Sequence, residues 1–243
     1  MSEILLYAAA GFLAQLVDGV LGMGYGVSAT SLLLSLGVSP VVSSASVHTA
    51  ETVTTGFSAW SHYRYGNVIW SLAKRLLIPG VIGAVIGAYL LTRIPGDAIR
   101  PFIAAYLLIM GALILVKAFA GATPRESHAR LAPLGLAGGF FDAIGGGGWG
   151  PIVVGTLLAR GNQPRTTIGS VNFAEFFVTV AAATTFFLTI GIAAWKPIAG
   201  LAIGGAIAAP IAAKLVNRIP ARPLMIGVGL FVIVLSVRTL VSF

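Results

Sequence analysis

No cysteine occurs among the 243 residues, which excludes disulfides and thiolate-held metals and leaves the redox compartment open. Charge is also scarce: 9% of residues are Asp, Glu, Lys or Arg, and only seven are acidic. No polar stretch is long enough for a second, water-soluble domain. No basic residue precedes Ala8-Ala9-Ala10 and the apolar lead-in is short, so a cleaved signal peptide is not expected. The glycine runs are not followed by Gly-Lys-Ser/Thr and no soluble βαβ unit surrounds them, so they are not nucleotide loops. With no Ser/Lys pair and no His-Glu-x-x-His motif, an intramembrane enzyme is not expected, and neither is a cofactor or a resident metal.

Most of the chain is apolar. It is 57% hydrophobic with a mean hydropathy of +0.97, and runs of membrane-spanning length recur from end to end. The expected class is an all-α, polytopic membrane protein. The net charge of +8 comes from Lys and Arg near segment ends, where they meet lipid headgroups, so nucleic acid is not an expected partner.

The chain is written twice. Asp18-Gly-Val-Leu-Gly-Met-Gly-Tyr-Gly26 returns as Asp142-Ala-Ile-Gly-Gly-Gly-Gly-Trp-Gly150, an offset of 124, and Ser46 and Glu51 fall on Ser170 and Glu175 at the same offset. One inserted residue later, at 125, Gly66 meets Gly191, Trp70 meets Trp195, and Arg93-Ile-Pro95 meets Arg218-Ile-Pro220. Two offsets held across unlike residue types mark an internal duplication, common in transporters. The expected units are 1–119, a polar linker at 120–130, and 131–243, making one integral domain.

Each half reads as four hydrophobic segments: 4–37, 41–63, 72–92 and 98–119, then 131–159, 165–190, 196–217 and 221–242. The first of each is too long for one crossing of ~20 residues and contains the glycine run, where each glycine weakens a helix by roughly 1 kcal/mol. It is therefore expected to be a broken helix or hairpin. If the hairpin returns to its starting side, Arg93, Arg100, Lys196 and Arg238 face one way and the other eleven basic residues face the other. A single crossing splits them seven against eight, so the excess of Lys and Arg on the cytoplasmic side favours the hairpin. The two halves are then inverted relative to each other. Glycines at 80, 83, 87, 200 and 204 recur at spacings of three and four, as close helix packing requires.

Four acidic residues lie inside hydrophobic segments as two matched pairs, Asp18 with Asp142 and Glu51 with Glu175. A charge at the bilayer centre costs at least ~2.5–3.5 kcal/mol, so each needs a proton, a cation, hydrogen bonds or a wet cavity. The aspartates suit capping of backbone N–H groups in the glycine turns, a role compatible with gating. Ser44, His48 and Glu51 share one helix face, and 168, 172 and 175 share another, so Ser44, His48 and Glu51 are expected to line a cavity with Asn172 and Glu175 opposite. Ser170 joins them as a hydroxyl donor. Half-helix N-termini and bare glycine N–H groups attract anions, so Gly22, Gly24 and Gly26 with Gly146, Gly148 and Gly150 are candidates to hold one. Glu51, Glu175 and His48 then suit proton coupling, with Asp18 and Asp142 in gating. A rival reading takes the four carboxylates as ligands for Na⁺ or a metal ion.

The duplicated Asp-x-x-x-Gly-x-Gly-x-Gly opening, the Ser-Ala-Ser-Val-His and Gly-Ser-Val-Asn-Phe-Ala-Glu helices and the eight-segment length resemble the TauE/SafE family of sulfite exporters. The resemblance covers nearly the whole chain. It implies a multi-pass permease of the inner (cytoplasmic) membrane for small sulfur anions such as sulfite, sulfoacetate or other organosulfonates, or thiosulfate. The partners expected are that anion, the bilayer and, in a homodimer, a second copy of the chain. His48-Thr-Ala-Glu51 stands where the other half has Asn172-Phe-Ala-Glu175, so the half-sites are chemically unequal. The charge count predicts both termini on the outer face. Reporter fusions at each end check this, and a cytoplasmic signal at both ends would reverse the topology.

Overall fold

The computed structural model describes residues 2–119, 130–192, 194–215 and 220–242. Residues 120–129 of the expected linker, and Arg218-Ile219 of the second repeated corner, lie outside the described residues. The described residues form ten helices: α1 (Ser2–Leu21), α2 (Tyr25–Ser35), α3 (Pro40–Arg64), α4 (Trp70–Arg93), α5 (Gly96–Phe119), α6 (Leu131–Gly145), α7 (Gly150–Ala159), α8 (Pro164–Ile190), α9 (Trp195–Leu215) and α10 (Ala221–Val241). The first five residues of α7, Gly150–Val154, are π-helical, whereas its counterpart α2 is regular.

Both long first segments are interrupted in their glycine runs. Gly22 and Gly146 take φ of 67° and 68°, a left-handed conformation that residues with a Cβ rarely adopt, and they end α1 and α6. Proline at the first turn and glycine after the last turn bound α3 and α8 in the same way: Pro40 and Pro164 open them, and Gly66 and Gly191 follow them at positive φ.

Six helices, α1, α4, α5, α8, α9 and α10, are long and apolar enough to cross a membrane. α3 is long enough, at 25 residues or roughly 37 Å, but too rich in Ser, Thr, His and Glu to read as apolar. Large apolar side chains such as Phe102, Leu188 and Val241 stand exposed, which is the surface a bilayer accepts and water does not.

The helices pair across the two halves. α1 packs along α9 and α6 along α4, while α5 pairs with α10 and α3 with α8. The contacts are reciprocal. Gly11 lies against the backbone of Leu201, and its counterpart Gly135 lies against the backbone of Leu76. α3 and α8 run antiparallel: residues 45–53 face 180–187, and residues 56–63 face 173–177. Near their middle, Thr55 and Thr179, which are counterparts at the 124-residue offset, share a hydrogen bond of 3.3 Å.

Gly83, Gly87 and Gly204 each bring a helix onto a neighbour's carbonyl oxygen, those of Leu136, Phe140 and Ala8. A side chain at Gly11 or Gly135 would meet backbone rather than a movable side-chain tip, and overpacking of this kind costs ~1–3 kcal/mol. Gly11→Val and Gly135→Val should each lower the melting temperature of the detergent-solubilised protein. Gly227→Val, where nothing lies within 4 Å, should leave it unchanged.

Candidate functional site

The two glycine breaks cross at the centre of the molecule, backbone against backbone. A Cβ on Gly26 would come within 2.7 Å of the Gly147 Cα, and one on Gly150 within 2.6 Å of the Met23 Cα. These are the same contact with the halves exchanged, since 26 matches 150 and 23 matches 147. Thr30 donates to the Gly146 carbonyl, and Tyr106 OH donates to the Gly147 carbonyl at 3.0 Å. Tyr25 and Trp149, which begin the second arm of each break, are both buried.

Each aspartate clasps its own break. Asp142 Oδ1 accepts the N–H of Trp149 at 2.9 Å, and Asp18 Oδ1 accepts the N–H of Tyr25 at 3.4 Å, both seven residues on. The capping role read from the sequence is thus what these oxygens do. Their second oxygens differ. Asp142 Oδ2 lies 3.1 Å from His48 Nε2, across from α6 to α3, whereas the corresponding residue on α8, Asn172, donates instead to Ser58 Oγ at 3.1 Å.

The hydrogen-bond partners of His48 constrain its protons. Nδ1 sits 2.8 Å from the Ser44 carbonyl, which can only accept, so Nδ1 carries a hydrogen. The 3.1 Å contact between Nε2 and Asp142 Oδ2 then holds one shared proton, on either the imidazole or the carboxyl. Ser44 Oγ in turn donates to the Ala143 carbonyl at 2.6 Å, a second tie from α3 to α6. Glu51 completes the cluster. One ligand-type atom from each of His48, Glu51 and Asp142 lies within 4.8 Å of the others, and Glu51 Oε2 is buried without a hydrogen-bond partner. Its Oε1 faces Gly26 at the crossing. The donor set of one imidazole and two carboxylates could bind a proton or a cation.

The remaining expected residues are dispersed. Ser170 Oγ accepts the Ile69 N–H at 2.8 Å and donates to the Thr166 carbonyl at 2.6 Å, so it ties α8 to the start of α4. Glu175 is buried on α8, and the Asn172 carbonyl oxygen is buried without a partner. Ser44, His48 and Glu51 were expected on a cavity wall. They are buried instead, and the cavity beside α3 is lined by the neighbouring Ser46, Thr49 and Thr52. The six candidate glycines face each other's backbones or neighbouring side chains, not that cavity.

Sequence reasoning did not find the His48–Asp142 pairing, Tyr106, Thr30 or Lys117, which donates to the Pro151 carbonyl in the π-helical turn at 2.6 Å. Tyr106 and Lys117 stand in unremarkable apolar runs, and no local pattern marks them. For Asp142 there was a signal: an intramembrane acid needs a partner, and His48 is the one intramembrane histidine in the polar run beside Glu51.

Loss of Asp142 removes a helix cap and also leaves a buried histidine unpaired, together roughly 3–5 kcal/mol, against ~1 kcal/mol for a cap alone. Asp142→Ala should therefore destabilise the protein far more than Asp18→Ala in thermal unfolding. Equal losses would show that the His48 bond contributes nothing.

Residues 7–239 match the family described as sulfite exporter TauE/SafE. The chain is 43% identical to the probable membrane transporter protein YtnM of Bacillus subtilis, over all of this chain and 84% of that protein. It is 24% identical to a probable membrane transporter protein of Haemophilus influenzae over 97% of each. It is also 29% identical to sulfite exporter TauE/SafE family protein 3 of Arabidopsis thaliana, over 49% of this chain and 24% of that protein. No solved structure matches.

Proposed function

The chain belongs to the sulfite exporter TauE/SafE family, and from that premise we propose that it exports small sulfur-containing anions, such as sulfite, an organosulfonate or thiosulfate, from the cytoplasm by alternating access. It is a multi-pass membrane transporter and not an enzyme. The observation that carries the mechanistic reading is the crossing of two glycine breaks beside a buried His48–Asp142–Glu51 cluster. Broken helices meeting at the repeat interface are how many secondary transporters bind cargo.

An inverted arrangement of the halves is supported by the antiparallel α3–α8 pair with counterparts Thr55 and Thr179 bonded at its middle. A two-fold axis relating such helices lies across them, and for helices that cross the bilayer this places the axis in the membrane plane. The bare backbones of Gly22–Gly26 and Gly146–Gly150 hold the anion once the breaks part, and Ser and Thr hydroxyls add donors. The shared proton of His48 and Asp142 ties α3 to α6. Its loss sets an imidazole lone pair against a carboxylate, and so links protonation to the separation of these helices. Expulsion of each negative charge from a negative interior gains ~2.3 kcal/mol per 100 mV, so efflux needs no other driving force.

The clustering of His48, Glu51 and Asp142 favours one second reading, a cation permease with these residues as ligands. A thermal-shift comparison separates the two: protection by sulfite or a sulfonate supports the anion reading, and protection by Na⁺ or a divalent metal alone supports the cation reading. Purified protein in liposomes should release sulfite well above the rate of empty liposomes, and the Glu51→Gln, Glu175→Gln double variant should lose most of this flux. Undiminished transport by the double variant would remove the carboxylates from the mechanism.

A further inference from the structure

Two cavities flank the α3–α8 pair, and they are counterparts of one another. The larger, about 570 Å³, lies between residues 45–53 of α3, residues 180–187 of α8 and the start of α9. The smaller, about 200 Å³, lies between residues 56–63 of α3 and 173–177 of α8. Every residue lining the smaller cavity sits at the 124-residue offset from one lining the larger. What differs is side-chain bulk. Thr49, Thr52 and Val53 on the larger wall are answered by Phe173, Phe176 and Phe177 on the smaller, and Thr184 is answered by Trp60.

Trp195 lines the larger cavity and is 60% exposed, whereas its counterpart Trp70, 47% exposed, is packed edge-on against Phe173 at 5.1 Å and against Tyr63 at 6.0 Å. The α3 wall of the larger cavity carries small hydroxyl and aliphatic side chains, and the α8 wall of the smaller one carries phenyl rings in edge-on and tilted contact.

Each cavity wall runs beside a stripe of buried polar residues. On α3 the cavity stripe 49/52/53 runs beside the stripe 44/48/51 that carries His48 and Glu51, and on α8 the stripe 173/176/177 runs beside Asn172 and Glu175. Phe186 lines the larger cavity while its ring lies 6.1 Å from that of His48, so a single buried phenyl ring stands between that cavity and the His48–Asp142 pair.

We propose that the two cavities are the paired access routes to the His48–Asp142–Glu51 centre, opening on opposite faces of the membrane, with the Thr49 route open in this structure behind a Phe186 gate and the Phe176 route shut by its aromatic side chains. This rests on the alternating-access reading above and assigns its two routes to named walls. Under the topology read from the charges, the Thr49 route faces outward and the Phe176 route faces the cytoplasm. The occupant of both is water with the small anion it carries.

Because the chain has no cysteine, single-cysteine variants report without background. Thr49→Cys and Phe176→Cys in sealed, oriented vesicles are exposed to a membrane-impermeant maleimide from each side in turn. The expected result is rapid labelling of Thr49→Cys from one face only, and slower labelling of Phe176→Cys from the opposite face only. Adding Trp70→Ala should speed labelling of Phe176→Cys about two- to twelvefold, the factor that one edge-on ring contact supplies. Val53→Cys replaces Thr49→Cys if that variant does not fold.

Labelling of both cysteines from the same face overturns the proposal. So does a Thr49→Cys that reacts only with a lipid-soluble maleimide, since the cavity is then a lipid groove. A Phe176→Cys that remains unreactive with Trp70→Ala overturns it as well. The labelling uses no cargo, so an absence of sulfite flux leaves this result standing, and a failed labelling pattern leaves the flux measurement standing.

Discussion

The two glycine breaks touch through their backbones, and the interior depends on that contact. At the separations seen between Gly26 and Gly147 and between Gly150 and Met23, no side chain fits between the chains. Each break leaves backbone N–H groups that lipid cannot satisfy, so each needs an acceptor inside the protein. Asp142 and Asp18 supply one apiece, to Trp149 and Tyr25. The intramembrane aspartates therefore follow from the breaks. Once there, Asp142 has a second oxygen to satisfy, and His48 meets it from the other half.

Chemical asymmetry builds up from this point. Backbone contacts recur at counterpart positions, as at Gly11 on Leu201 and Gly135 on Leu76. The side chains depart from this correspondence. His48 bonds Asp142, while Asn172 turns to Ser58, and α7 opens with a π-helical turn whose Pro151 carbonyl accepts from Lys117. The unequal side chains give a His48–Asp142 contact between the halves where the counterpart of His48, Asn172, bonds Ser58 instead.

Much of the fold was legible in the sequence. The broken first segments at 4–37 and 131–159 correspond to α1 with α2 and α6 with α7, because a glycine run in an apolar segment removes helix propensity where no packing restores it. The other six segments correspond to single helices within a few residues. The site was legible only in part. Asp18, Asp142, Glu51 and His48 stood out because ionisable groups are costly in an apolar segment, a property of residue type and local context. Their pairing was not legible. Helical periodicity placed His48 with Ser44 and Glu51 on one stripe, but a stripe does not specify what it faces, and Asn172 on the matching stripe bonds Ser58.

The sequence by itself determined the membrane class, the two breaks and the residues that cannot sit in lipid unsatisfied. Each of these follows from composition, spacing or a residue's own chemistry. Only the tertiary structure decided that His48 bonds the aspartate of the opposite half, and that a phenyl ring separates that pair from a cavity. Those facts depend on how α3 meets α6 and α8 across distances of 94 and 138 residues along the chain, and no local preference encodes a contact between segments so far apart.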